Sequence, residues 1–132
     1  TFATPGVKIG LFCSTPMVAL SRSIGRRRAL QMLLTGTPIS AATAAEWGLV
    51  NIVAEADELD SVVDDLVATL ARHSPHTVAI GKEAFYRQIE LDEAGAYECA
   101  TGGMARNAAD AVAAEGIGAF LDKRDPVWPD IA

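Results

Sequence analysis

The segment Leu33–Val53, LLTGTPISAATAAEWGLVNIV, constrains the chain most, because nearly every residue in it has a backbone or packing reason. Leu33 and Leu34 close an apolar helical pattern that Gly36 can end, since glycine accepts the left-handed conformation helix ends often need. Ser40 is a good N-cap for a helix built on Ala41, Ala42, Ala44 and Ala45, residues of high helix propensity and little bulk. Such a helix can lie close to its neighbour. Gly48 stops it, and the short apolar, β-branched run Leu49–Val53 predicts a buried strand.

The rest of the chain reads as helix. Thr1–Leu11 predicts an extended lead-in or short strand, broken by Pro5 and Gly6, with Val7, Ile9 and Leu11 alternating against Lys8 and Gly10. A brief helix over Pro16–Ser23 and a second over Arg26–Leu34 are separated by Gly25. Arg26, Arg27 and Arg28 sit where a helix dipole disfavours cations, so they read as a solvated face or as a contact for an anion or acidic partner. Leu59, Val62, Val63, Leu66, Val67 and Leu70 recur at amphipathic helical spacing within Asp57–Arg72. Ser74-Pro75, Asp92 and Asp110 each open a further helix. Gly102-Gly103 weakens the one after Asp92, and Pro126 and Pro129 prevent extension of the last.

Composition narrows the function classes. With 132 residues, half of them hydrophobic, one domain with a modest core is expected. Aromatics are 6%, so packing rests on Ala, Val, Leu and Ile. The net charge of −6 argues against nucleic acid or an anionic membrane surface as partner, and any anionic ligand would need local positive groups. No stretch approaches the roughly 20 apolar residues of a membrane span. Cys13 and Cys99 are too few and too far apart for a zinc cluster or disulfide framework, which favours a reducing compartment. His73 and His76 are three apart without a third ligand placed by sequence, so no metal is assigned, and no serine-histidine-acid order stands out.

The pattern LTG-x-x-I-S-A-x-x-A-x-x-x-G-L-V-x-x-V resembles the C-terminal half of the enoyl-CoA hydratase/isomerase, or crotonase, family. The opening TFATPGVKIGLFCSTPMVALSR, the helix GKEAFYRQ and the ending EGIGAFLDKRDPVW resemble one branch of it, the enoyl-CoA hydratase domain-containing protein 3 type. The resemblance covers essentially the whole chain. It implies a mainly α fold with one or two short β-strands, the C-terminal portion of the crotonase α/β spiral, with 1–53 ending the spiral core and 54–132 forming a C-terminal helical oligomerisation or lid region. The start at Thr1, inside the FATPG segment, fits a fragment or processed product better than a complete gene product.

The resemblance also implies chemistry. Crotonase-type proteins act on acyl-CoA thioesters and stabilise an enolate with two backbone N–H groups, both from the N-terminal half that this chain lacks. Coenzyme A enters as part of the substrate, and no metal or redox cofactor is needed. One hydratase acid-base carboxylate falls in that missing half too, and the other follows the proline of a segment like Phe2-Ala3-Thr4-Pro5, where this chain has Gly6. Glycine cannot exchange protons. The hydratase Pro-Gly-x-Gly-Gly loop is replaced by Phe12-Cys13-Ser14-Thr15-Pro16. Lys123 matches a lysine that contacts coenzyme A across a subunit boundary, and Met104 matches an apolar contact nearby, although a helix-end cation and a core methionine explain both without ligand. A homo-oligomer, trimer or hexamer, and the N-terminal half of the same protein are the implied partners. The compartment would be cytoplasmic in a bacterium and the mitochondrial matrix in a eukaryote. A different class of function stays open: a helical assembly and coenzyme A lid module with no chemistry of its own.

Overall fold

The computed structural model describes residues 1–130, which divide into two compact units, Thr1–Asp60 and Ser61 onward. Among the described residues are six α-helices: α1 Ser14–Thr35, α2 Ala41–Glu46, α3 Leu59–Ala71, α4 Pro75–Gln88, α5 Glu93–Ala108 and α6 Ala111–Asp122.

In the first unit, Phe2 and Ile39 exchange backbone hydrogen bonds of 3.0 and 2.9 Å as an isolated antiparallel bridge, the only strand-like pairing among the described residues. The expected extended lead-in is therefore confined to its first residues. Pro5–Ile9 is a 3₁₀ helix: Pro5 presets the first helical position and Gly10, at φ +78°, ends it. The helix α1 breaks at Gly25 (φ +74°, ψ 164°), as the sequence predicts. Leu20 and Ile24 before the break and Ala29, Met32 and Leu33 after it form the core, with Cys13, Ile39, Trp47 and Leu49 packed against it. Gly36 closes α1 at φ +58°, its N–H donating to Met32 at 2.9 Å.

Ser40 caps α2, its hydroxyl accepting from the Thr43 N–H at 3.0 Å. Gly48 is left-handed at φ +81°, and the N–H groups of Gly48 and Leu49 return to the carbonyls of Ala45 and Ala44 at 3.0 and 2.8 Å. Leu49–Val53 forms no strand. The Leu49 N–H closes the helix instead, and a strand needs a neighbour, which the described residues do not supply.

The second unit is built from helices, followed by a non-helical segment over 123–130. Ser74, Asp92 and Asp110 cap α4, α5 and α6 by accepting from the N–H groups of Thr77, Gly95 and Val112 at 3.3, 2.9 and 3.2 Å. The helices α4 and α5 pack together, and α5 meets α6. Gly102-Gly103 does not interrupt α5. Gly103 is buried, and a methyl there would lie 3.7 Å from the Ala84 Cβ, so small residues set the approach of α4 and α5. Leu59, Val63, Leu66, Val67 and Leu70 of α3 are about half exposed, so most of its hydrophobic stripe is not covered. No helix of the described residues is long and apolar enough to cross a membrane.

Candidate functional site

A cleft of about 350 Å³ opens in the first unit, bounded by Phe2, Thr4, Pro16, Leu20, Met32 and Leu49 among others. The Phe2–Ile39 bridge pins one wall and α1 forms another. Thr4 is buried, and its hydroxyl has no hydrogen-bond partner among the described residues. A buried hydroxyl left unpaired is uncommon and costly, so this apolar cleft has one polar group in its wall not used by the fold. Nothing in the sequence singles Thr4 out, because its solitude depends on what folds around it.

Gly6 lies two positions on, in the 3₁₀ helix. A methyl carbon added there would lie 2.7 Å from the Leu11 carbonyl oxygen and 2.8 Å from the Cys13 Sγ. No aspartate or glutamate precedes Glu46, and the cations up to that point are Lys8, Arg22, Arg26, Arg27 and Arg28. Arg28 donates to the Trp47 carbonyl at 3.3 Å and lies 5.6 Å from the centre of its ring. One of the three arginines, though exposed, is thus also a structural tie between α1 and the end of α2.

Met104 and Lys123 belong to the second unit, Gly6 to the first. Met104 lies on α5 and is 69% exposed, which corrects its reading as a core residue: α4 and α5 meet through Ala84 and Gly103, and the methionine is left outside. Lys123 is exposed and caps α6 in the left-handed conformation, at φ 55° and ψ 43°. Its N–H donates to Phe120 at 3.3 Å and the Arg124 N–H to Ala119 at 3.0 Å, a Schellman closure normally built on glycine. The structure thus gives Lys123 a special backbone place that the sequence did not suggest.

His76 pairs with Asp110, Nε2 to Oδ2 at 2.6 Å, rather than with His73. The Val112 N–H, with help from His76, holds the Asp110 carboxyl below its ordinary range. Among the described residues no three His, Cys, Asp or Glu side chains are grouped to hold a metal ion. Arg124 grips Glu115 through two hydrogen bonds of 2.7 and 3.1 Å. Together with the Val127 N–H at 2.8 Å, it lowers the Glu115 carboxyl to about 2.

A profile described as enoyl-CoA hydratase/isomerase matches residues 1–131. The chain belongs to that family. This enoyl-CoA hydratase/isomerase family chain is 45% identical over 97% of its length to rat (Rattus norvegicus) "Enoyl-CoA hydratase domain-containing protein 3, mitochondrial", and covers 43% of that relative. An enoyl-CoA hydratase structure from Mycobacterium smegmatis superposes with a TM-score of 0.94 at 48% identity, over 96% of this chain and 49% of that one. The human enoyl Coenzyme A hydratase domain-containing protein 3 structure gives a TM-score of 0.92 at 46% identity, over 96% of this chain and 50% of that one. The mainly helical fold expected from the sequence agrees with these crotonase-fold neighbours. The chain spans less than half the length of the curated relative it matches.

Proposed function

We propose that this family chain supplies part of an acyl-CoA site, in a protein that acts on an acyl-CoA thioester through an enolate held in an oxyanion hole. The observation that carries the reading is the family match along residues 1–131, joined to close superposition on the Mycobacterium smegmatis enoyl-CoA hydratase structure. The apolar cleft beside Thr4 suits an acyl chain with one polar group to be met. Lys123 and Met104 are proposed coenzyme A contacts, the cation for phosphate and the thioether for an apolar part. Coenzyme A comes with the substrate, and no further cofactor is proposed. The relative's name carries "mitochondrial", which supports the matrix as the compartment in a eukaryote, with the cytoplasm for a bacterial source.

The resemblance draws both oxyanion donors from a part of the family that this chain does not span, and residue 6 is glycine. The 132-residue chain alone is therefore expected not to hydrate crotonyl-CoA above background while still binding coenzyme A weakly. Loss of enoyl absorbance with the purified chain, beside a calorimetric titration with crotonyl-CoA, tests both parts. Turnover would overturn the first, and no detectable binding at millimolar ligand the second.

One observation favours the second reading, a helical assembly and lid module without chemistry. On α6, Ile117, Phe120 and Leu121 are strongly exposed, Phe120 at 81%. We propose that these side chains are covered in a homo-oligomer, trimer or hexamer, or by the N-terminal half of the same protein. Sedimentation decides: a compact monomer at all concentrations would remove self-association.

A further inference from the structure

Two departures from the hydratase pattern, glycine at residue 6 and Phe12-Cys13-Ser14-Thr15-Pro16 in place of a glycine-rich loop, stand seven positions apart at their key residues and look independent in sequence. In the fold they touch. The position a side chain would take on residue 6 is filled from two sides, by the Cys13 thiol and the Leu11 carbonyl.

We infer that Gly6 and Cys13 are a matched pair that sets the reaction class at this point of the site: with the thiol in place, residue 6 cannot present a carboxylate, so the protein's acyl-CoA chemistry takes no proton from that position. The inference rests on the acyl-CoA reading above. Gly6 does not lie in the left-handed region, so lack of space and not backbone freedom is what calls for glycine. Neither obstacle yields easily. The Leu11 oxygen is backbone, and its own residue's N–H donates to the Gly6 carbonyl at 3.0 Å, which ties the loop back onto residue 6. Cys13 occupies the N-cap position of α1 and packs against the buried core of Leu20, Ile24, Ala29, Met32 and Leu33. A contact below 3.0 Å with such groups forces displacement, as overpacking does in any core. Residues 1–45 carry no aspartate or glutamate of their own.

A double-mutant cycle in the full chain tests the pairing. Gly6→Ala is expected to lower the melting midpoint by about 5 °C or more. Cys13→Ala lowers it less, and Gly6→Ala/Cys13→Ala melts above Gly6→Ala alone, because removing Sγ relieves one of the two short contacts, that with the Leu11 carbonyl remaining. Strict additivity, or a Gly6→Ala chain that melts like wild type, would overturn the pairing. If Gly6→Ala does not fold, a cooperative melt recovered in the double variant supports it, and a double variant that stays unfolded overturns it. A folded Gly6→Glu single variant that gains crotonyl-CoA hydration would also overturn it. A crotonyl-CoA titration of the wild-type chain keeps the two ideas apart: no binding removes the acyl-CoA reading and leaves the outcome of the cycle intact.

Discussion

The indole N–H of Trp128 donates to the backbone carbonyl of Arg72 at 2.8 Å, across 56 positions of chain. The bond fastens the segment after α6 to the end of α3. The same ring lies over α6, where a methyl on Gly116 would come within 3.3 Å of it.

Trp128→Phe keeps an aromatic ring and loses the donor, so it is expected to cost about 0.5–1.5 kcal/mol, the net worth of one hydrogen bond. Gly116→Ala crowds the ring and should also lower the melting midpoint. Its effect should shrink in a Trp128→Ala background. A Gly116→Ala penalty of equal size in both backgrounds would show that the ring is not what it meets.

Gly25 breaks α1 at a positive φ with nothing within 4 Å of an added methyl. Gly25→Ala therefore reports backbone strain alone and is expected to destabilise by about 1–3 kcal/mol. Urea unfolding of the two chains measures it. A neutral or stabilising alanine would mean that α1 straightens without cost.

Much of this was legible because caps and stops are local. Ser40, Ser74, Asp92 and Asp110 each bond an N–H two or three residues on, and Gly36 and Gly48 act within one turn, so a few adjacent letters carry the information. Leu49–Val53 departs from the strand its letters predict because strand character depends on a neighbour that local letters cannot supply. Of the site, the sequence could flag Gly6, Met104 and Lys123 only through family resemblance. It could not show the solitary Thr4 hydroxyl, the closure around Gly6, the exposure of Met104 or the left-handed Lys123, each of which depends on groups brought together by folding or on a conformation lysine seldom adopts.

Acid should act through Glu115. Its folded carboxyl lies at about 2 against an ordinary 4.5, chiefly because of Arg124. A depressed carboxyl contributes stability that is fully present above 4.5 and is lost as pH falls toward about 2. Asp110, lowered by the Val112 N–H, acts in the same direction. Wild type should thus lose more stability than Glu115→Gln when urea midpoints at about pH 6 and pH 3 are compared. Parallel losses would show that the Arg124 clamp does not persist in solution.

Lys123 separates stability from binding. Lys123→Gly should raise stability by roughly 0.5–1 kcal/mol, since the left-handed cap suits glycine and strains lysine. If Lys123 holds coenzyme A, the same variant binds it more weakly in a calorimetric titration, as Lys123→Ala does. Unchanged affinity in both would leave the residue a helix terminus only.

The closure around Gly6 also bears on descent. A chain with a thiol against residue 6 does not acquire a carboxylate there by one substitution without displacement, because the new side chain meets the Leu11 carbonyl and the Cys13 sulfur at once. Cys13 has to change first and the loop has to move, at a cost to the core it packs on and with no chemistry gained until the second step. Packing around residue 6, and not only the identity of the residue there, thus keeps a carboxylate out of this position.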